Sequence, residues 1–168
     1  PDELQQRKGF YLDAKSVDVY TVEDVFQGNA NNIWEEGFVI CDAFTTDNMI
    51  EIGNTEEYVK TGTPILYYRA NPASKLFDSG SPQDSIYNVR DNLPLIMQEP
   101  LSDPDQDHPL DNDRDIFYDG PEDDPPYKIL DPRVEARDWP HRPDSYLLIS
   151  AGPDGLYGNS DDITNIKD

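Results

Sequence analysis

Near the end of the chain, Asp154, Asp161 and Asp162 fall inside the run Ala151-Gly152-Pro153-Asp154-Gly155-Leu156-Tyr157-Gly158-Asn159-Ser160-Asp161-Asp162-Ile163. Ca²⁺ is a hard cation that takes roughly 6–8 oxygens at about 2.3–2.6 Å, so carboxylates and backbone carbonyls must converge on one point. Gly155 and Gly158 let the backbone curl and bring Asp154 face to face with Asp161 and Asp162, with loop carbonyls completing the shell. A plain hairpin turn accounts for the same residues, because Pro-Asp-Gly is a turn signal in any protein. Ligand chemistry alone leaves both readings open.

The loop does not follow the EF-hand pattern. Counted from Asp154, the third and fifth positions are Leu156 and Gly158, and the twelfth is Asn165 where a bidentate Glu is required. Asp103, Asp105 and Asp107 have the alternating spacing of an EF-hand start, but His108 takes the obligatory Gly position and Arg114 the twelfth. That region is expected to be a solvated acidic loop.

For catalysis, two carboxylates suffice to cleave a glycoside, so composition alone leaves a hydrolase open. Nothing else points to one. The chain has no Gly-x-Ser-x-Gly, phosphate loop or Cys-x-x-Cys, and its two histidines, His108 and His141, lie far in sequence from Cys41. His141, two residues from Trp139, is expected to be a surface or packing residue, since no nucleophile motif accompanies it. A non-enzymatic role with no catalytic residue is the expectation.

Charge narrows the partners. The 35 Asp and Glu against 13 Lys and Arg give a formal net charge of -22. Phosphate backbones and anionic lipid headgroups are recognised by clustered Lys and Arg, so nucleic acid and membrane surfaces are excluded as partners. Dense carboxylates instead attract divalent cations, or serve as a solvated surface that resists aggregation.

The 168 residues, 36% hydrophobic and 11% aromatic, suffice for one core, and residues 1–168 are expected to form a single domain. The lone cysteine, Cys41, sits in the apolar run Phe38-Val39-Ile40-Cys41 and is expected to be a buried, inert thiol. No stretch of about 18 apolar residues is present. A chain that opens at Pro1 without an initiator Met fits a trimmed or processed product.

Several elements position the acidic loop. Pro1-Asp2-Glu3 begins a helical turn stopped at Gly9, the end of a longer helix, and short extended segments follow at 10–12 and 17–20. Thr21 to Phe26 is an N-capped helical turn. Strands are predicted at 37–44, at 64–69 and at 145–150, and a helix over 85–98 that Pro94 would kink or break. From about 99 to 143, Pro and Asp dominate and predict a long irregular loop, pinned by Tyr127 and Trp139. Short strands with helical turns between them give an α+β fold built on a small antiparallel sheet.

The run from Tyr146 through Gly155, followed by Gly158 and Asp161-Asp162-Ile163, resembles the C-terminal strand and calcium loop of type II secretion major pseudopilins. It is similar as well to pilin-like proteins with a prepilin-type methylation segment. In that family an aromatic-x-Leu strand leads into a Gly-x-Asp-Gly turn, and an Asp-x-Asp-Ile or Asp-Asp-Ile cluster follows. Carried over by position, the resemblance implies Asp154, Asp161 and Asp162 as side-chain ligands of Ca²⁺, with backbone carbonyls from Ala151 and Asn159. The segment Pro64-Ile65-Leu66-Tyr67-Tyr68-Arg69-Ala70-Asn71-Pro72 also resembles large pilin-like proteins, with no ligand assigned.

The resemblance implies a pilin-like globular head, its small antiparallel sheet packed on the end of an N-terminal helix and its loops long, acidic and Pro-rich. It implies a structural subunit of an extracellular or periplasmic pilus or pseudopilus filament, held to like subunits and to other pilin-like subunits by an apolar helix upstream of Pro1. Membrane contact would be through that helix alone. The alternative is a calcium-dependent extracellular binding module or adhesin that uses the 99–143 loop or a Tyr-rich surface. A Gly before Phe-Thr-Leu-Ile-Glu upstream would mark the filament subunit, and a plain signal peptide the module.

Overall fold

A computed structural model of the chain describes residues 19–26, 37–44, 49–51, 56–97, 110, 114–118, 129–159 and 161–166. Thr21 both ends the first strand and caps the first helix. Its Oγ1 accepts the Asp24 N–H at 3.1 Å and donates to Asp24 Oδ2 at 2.6 Å, a reciprocal pair that satisfies an otherwise orphaned amide. Helix α1, Val22–Phe26, then buries Val22, Val25 and Phe26, which helical spacing places on one face.

Strand β1 (Val19–Thr21) pairs antiparallel with β2 (Phe38–Ile40), Val19 opposite Ile40 and Thr21 opposite Phe38. Along β2 the side chains alternate, so Val39 is buried while Phe38 and Ile40 face out. A second antiparallel pair, β3 (Met49–Glu51) and β4 (Tyr58–Lys60), sets Ile50 against Val59. Val22, Val25, Phe26, Val39, Cys41 and Ile50 form the core of this N-terminal layer, which places Cys41 in the interior as its apolar neighbours suggest.

The main sheet has the order β5-β6-β7, all antiparallel: β5 is Leu66–Arg69, β6 Tyr146–Ser150 and β7 Ile163–Thr164. Leu66, Tyr68, Leu147 and Ile149 point inward and are completely buried, while Tyr67, Arg69 and Tyr146 face out. Against the inner face lie α2 (Leu93–Ile96) and α3 (Arg114–Tyr118), with Ile96, Phe117 and Tyr118 in the same core as Leu110 and Ile129. Tyr68 packs on Phe117 at 4.9 Å between ring centroids, and Phe77 on Tyr118 at 4.7 Å. The phenols reach backbone: Tyr118 donates to the Tyr87 carbonyl, and Tyr87 to the Arg142 carbonyl.

Among the described residues the architecture is mixed helix and strand, with its strands in three small antiparallel sheets rather than one. Two expectations need correction. Pro94 does not break a long helix. A 3₁₀ turn over Val89–Asn92 leads into α2, and Pro94 occupies its first turn, where a missing N–H has no partner to lose. The Pro- and Asp-rich stretch is not merely a surface excursion, since α3 and the isolated bridge Leu130–Pro140 lie within it and Leu110, Phe117, Tyr118 and Ile129 enter the core. Its apolar residues come singly or in short groups among acidic ones, which hides them from a periodicity test. Trp139 does pack against that core. Strands β3 and β4 carry too short an alternation to stand out in the sequence. The expected N-terminal helix, segment 10–12, Asp103, Asp105, Asp107, His108 and Tyr127 lie outside the described residues. No helix among those residues is long and apolar enough to cross a membrane.

Burial pushes the Tyr87 phenol up to about 12 and raises Tyr118 and Tyr68 as well, Tyr68 the furthest of the three. The fold therefore holds these phenols neutral. Their contribution is complete below an unfolded pKa of about 10 and is lost as pH rises from there through 12. Alkaline titration should show a late cooperative rise in tyrosinate absorbance that coincides with loss of the far-ultraviolet circular dichroism. Complete tyrosine ionisation with the dichroism intact would contradict this packing.

Candidate functional site

Strand β6 ends at Ser150, and the chain returns as β7 to pair with the strand it has just left, Ile149 opposite Thr164 and Ser150 opposite Ile163. Residues 151–162 therefore begin and end side by side. Three glycines in this loop have positive φ, at 66° for Gly152, 76° for Gly155 and 95° for Gly158. Gly152 is the most constrained, because a Cβ there would lie 2.3 Å from the Asp161 carbonyl oxygen and 2.9 Å from Asp161 Oδ2. The two ends of the loop touch at that point.

Side chains and backbone amides then fill the ring. Asp154 Oδ1 accepts the Leu156 N–H at 2.8 Å, and its Oδ2 accepts from Asn159 Nδ2 at 2.8 Å. Asp161 Oδ2 accepts the Asp154 N–H at 3.2 Å, and Asn159 Oδ1 the Asp161 N–H at 3.1 Å. Asp162, buried, accepts through Oδ2 from the amides of Gly158 at 2.7 Å and Asn159 at 3.1 Å. Asp154, Asn159 and Asp161 thus share one hydrogen-bonded ring, Asp162 closes its inner side, and Ala151 lies buried where the loop leaves β6. Among the described residues no three His, Cys, Asp or Glu side chains are grouped to hold a metal ion as they stand. The donor chemistry still fits Ca²⁺, for the run supplies three carboxylates and backbone carbonyls and contains no Lys, Arg or His.

Three residues, Asp42, Ser150 and Tyr157, tie this loop to the rest of the fold, and sequence reasoning missed their role. Asp42 is a buried carboxylate whose Oδ2 accepts from Ser150 Oγ at 2.6 Å and whose Oδ1 accepts the amides of Thr63 and Phe44, each at 3.2 Å. Ser150 Oγ in turn accepts the Gly152 N–H at 3.3 Å. Tyr157, also buried, donates its hydroxyl to the Pro64 carbonyl. Burial first, then neighbouring Tyr68, Asp42, Cys41 and Asp162, push that phenol far up. Residues 63–65 meet 40–42 edge to edge, with Ile65 N–H donating to Ile40 at 2.7 Å and Asp42 N–H to Thr63 at 2.9 Å. Asp42 and Ser150 each follow an apolar run, and a polar residue in that position is the signal that could have flagged them.

His141 belongs to another network. Its Nδ1 lies 3.9 Å from Asp131 Oδ2, and Arg133 grips the same carboxylate at 2.7 and 2.6 Å. The Arg133 side chain, its amide and lastly His141 hold the Asp131 carboxyl down at about 2. The Arg137 guanidinium stacks 3.8 Å over the Trp139 ring. These contacts shape the 129–141 turn.

Comparison with family models, curated proteins and solved structures returns no match to this chain.

Gly152→Ala should lower stability by about 2–4 kcal/mol, since it combines a strained φ with a backbone collision. Urea denaturation should show a lower midpoint at an unchanged slope. A change within about 0.5 kcal/mol, the range of an ordinary surface substitution, would contradict the ring closure.

Proposed function

We propose that this chain is the globular head of a pilin-like or pseudopilin-like filament subunit whose C-terminal loop is stabilised by Ca²⁺. The observation that carries the reading is the loop itself: a central strand runs into an acidic ring of residues 151–162 that returns to pair with the same strand. The same residues carry the family resemblance in the sequence. Asp154, Asp161 and Asp162 are the side-chain ligands, with the carbonyls of Ala151 and Asn159 beside them.

Bound, Ca²⁺ supplies the positive charge that neutralises three carboxylates confined to one turn. Asp161 and Asp154, linked across the loop, would gather it, and Asp162 fixes the inner wall by accepting the amides of Gly158 and Asn159. Function on this reading is assembly outside the cytoplasm, in a pilus or pseudopilus, with like and related subunits joined through an N-terminal apolar helix. Exposed Tyr67 and Tyr146, stacked at 6.1 Å on the outer face of the sheet, favour as a second reading a calcium-dependent binding module or adhesin.

A ligand that binds only the native state at a hundred times its Kd adds about 2.7 kcal/mol. Saturating Ca²⁺ should therefore raise the Tm above its value in EDTA by about 5–10 °C for a chain of this size. Asp161→Ala should abolish most of that response. An Asp161→Ala head that keeps the wild-type response to metal would refute the site.

A further inference from the structure

Two buried hydrogen bonds run from the C-terminal loop to one place. At its start, Ser150 donates to Asp42 and accepts from Gly152, whose backbone presses on Asp161. Toward its end, Tyr157 donates to the Pro64 carbonyl, and the next residue, Gly158, donates its amide to Asp162. Asp42 and Pro64 lie one step apart on the seam where residues 40–42 pair with 63–65, for Cys41 stands opposite Pro64 and Asp42 opposite Thr63. The same seam joins the N-terminal layer to the main core. A Cβ at Gly62 would lie 2.2 Å from both Asp42 Oδ1 and the Asp42 carbonyl oxygen, so the backbone there has no slack.

We propose that the 151–162 loop is a clasp on this seam, and that ordering the loop by a divalent cation tightens the N-terminal layer through Ser150–Asp42 and Tyr157–Pro64. Ser150, Tyr157 and Asp42 are positioning residues, acting on a layer that the ring carboxylates do not belong to. The ligand half of the inference rests on the calcium reading above. The clasp half stands on the hydrogen bonds alone.

Backbone pairing at the seam and Leu95, which packs against both cores, hold the two parts together without the loop. The clasp adds to them through bonds shielded from water, where a lost partner is expensive. Coupling of this kind needs an element with two arrangements, and on this proposal the ring, more or less ordered with the cation bound or absent, is that element.

Hydrogen exchange read by mass spectrometry on the full chain tests both halves. In EDTA, Ser150→Ala and Tyr157→Phe should each speed exchange in 19–26 and 38–44 by at least about tenfold relative to β5, an effect that Ser150→Thr should not produce. Tyr157→Phe removes a single oxygen and keeps the ring, so it serves if the serine variant does not fold. Equal exchange in wild type and Tyr157→Phe overturns the clasp, whether or not metal binds. Added CaCl₂ should slow exchange in both the loop and the N-terminal layer of the wild type, and should slow the N-terminal layer less in Tyr157→Phe, which keeps only Ser150–Asp42. Protection confined to the loop in the wild type overturns the coupling and leaves the calcium site standing. No protection anywhere overturns the calcium reading and with it the coupling, while the EDTA comparison still decides the clasp.

Discussion

A carboxylate buried between two cores, that of Asp42, constrains how the pieces of this fold meet. Removing an ion from water costs several kcal/mol unless donors replace its hydration. Asp42 gains three, from Phe44, Thr63 and Ser150, and each comes from a different piece of chain. Charge-assisted bonds of this kind contribute about 1.5–3 kcal/mol each, and losing one leaves the remaining charge under-solvated. The positions of the β2 end, the 61–64 turn and the β6 end are therefore fixed relative to one another. Gly62 follows from the same constraint, for no side chain fits where its backbone meets Asp42.

The acidic loop solves a similar problem at the surface. Three like charges in one turn repel each other, and the loop answers with its own backbone amides: those of Asp154, Leu156, Gly158, Asn159 and Asp161 all donate to side-chain oxygens within the ring. The loop turns the partial positive ends of these amides onto its own side-chain oxygens, which offsets part of that repulsion. Its shape depends on left-handed glycines, which explains why the sequence concentrates Gly at 152, 155 and 158. A strand on either side, paired to its neighbour, holds the mouth of the loop at fixed width.

How much of this is legible in the sequence depends on the range of the interaction. The Thr21 cap, strands β5 and β6 and the turn after Ser150 are local, and propensity and spacing find them. The alternation of β3 and β4 lasts only three residues each, too short for a period-2 pattern to register. Phe117 and Tyr118 are hidden for a different reason: they are apolar residues in acidic company, and only the surface they cover reveals them as core. Asp42 and Ser150 are 108 residues apart in sequence, so no window that reads one can see the other. The membership of the acidic loop could be read, but what holds it could not.

The division of the interior into two clusters sets the order in which parts of the molecule loosen. Among the described residues the main core gathers four buried aromatic pairings around a three-stranded sheet, Tyr68–Phe117, Phe77–Tyr118, Phe77–Tyr87 and Phe117–Tyr118, and the phenols of Tyr118 and Tyr87 donate to carbonyls. Among the described residues the apolar cluster of the N-terminal layer has six buried members over two-stranded pairs, and an isolated two-stranded pair is marginal in water. Stability in such a molecule is uneven, with the smaller cluster opening first unless the larger one supports it. That support reaches it through the seam at 40–42 and 63–65, through Leu95, and through Asp42. A polar bond between a serine at the end of the strongest strand and an aspartate at the end of a weak one is therefore where the weaker half draws on the stronger.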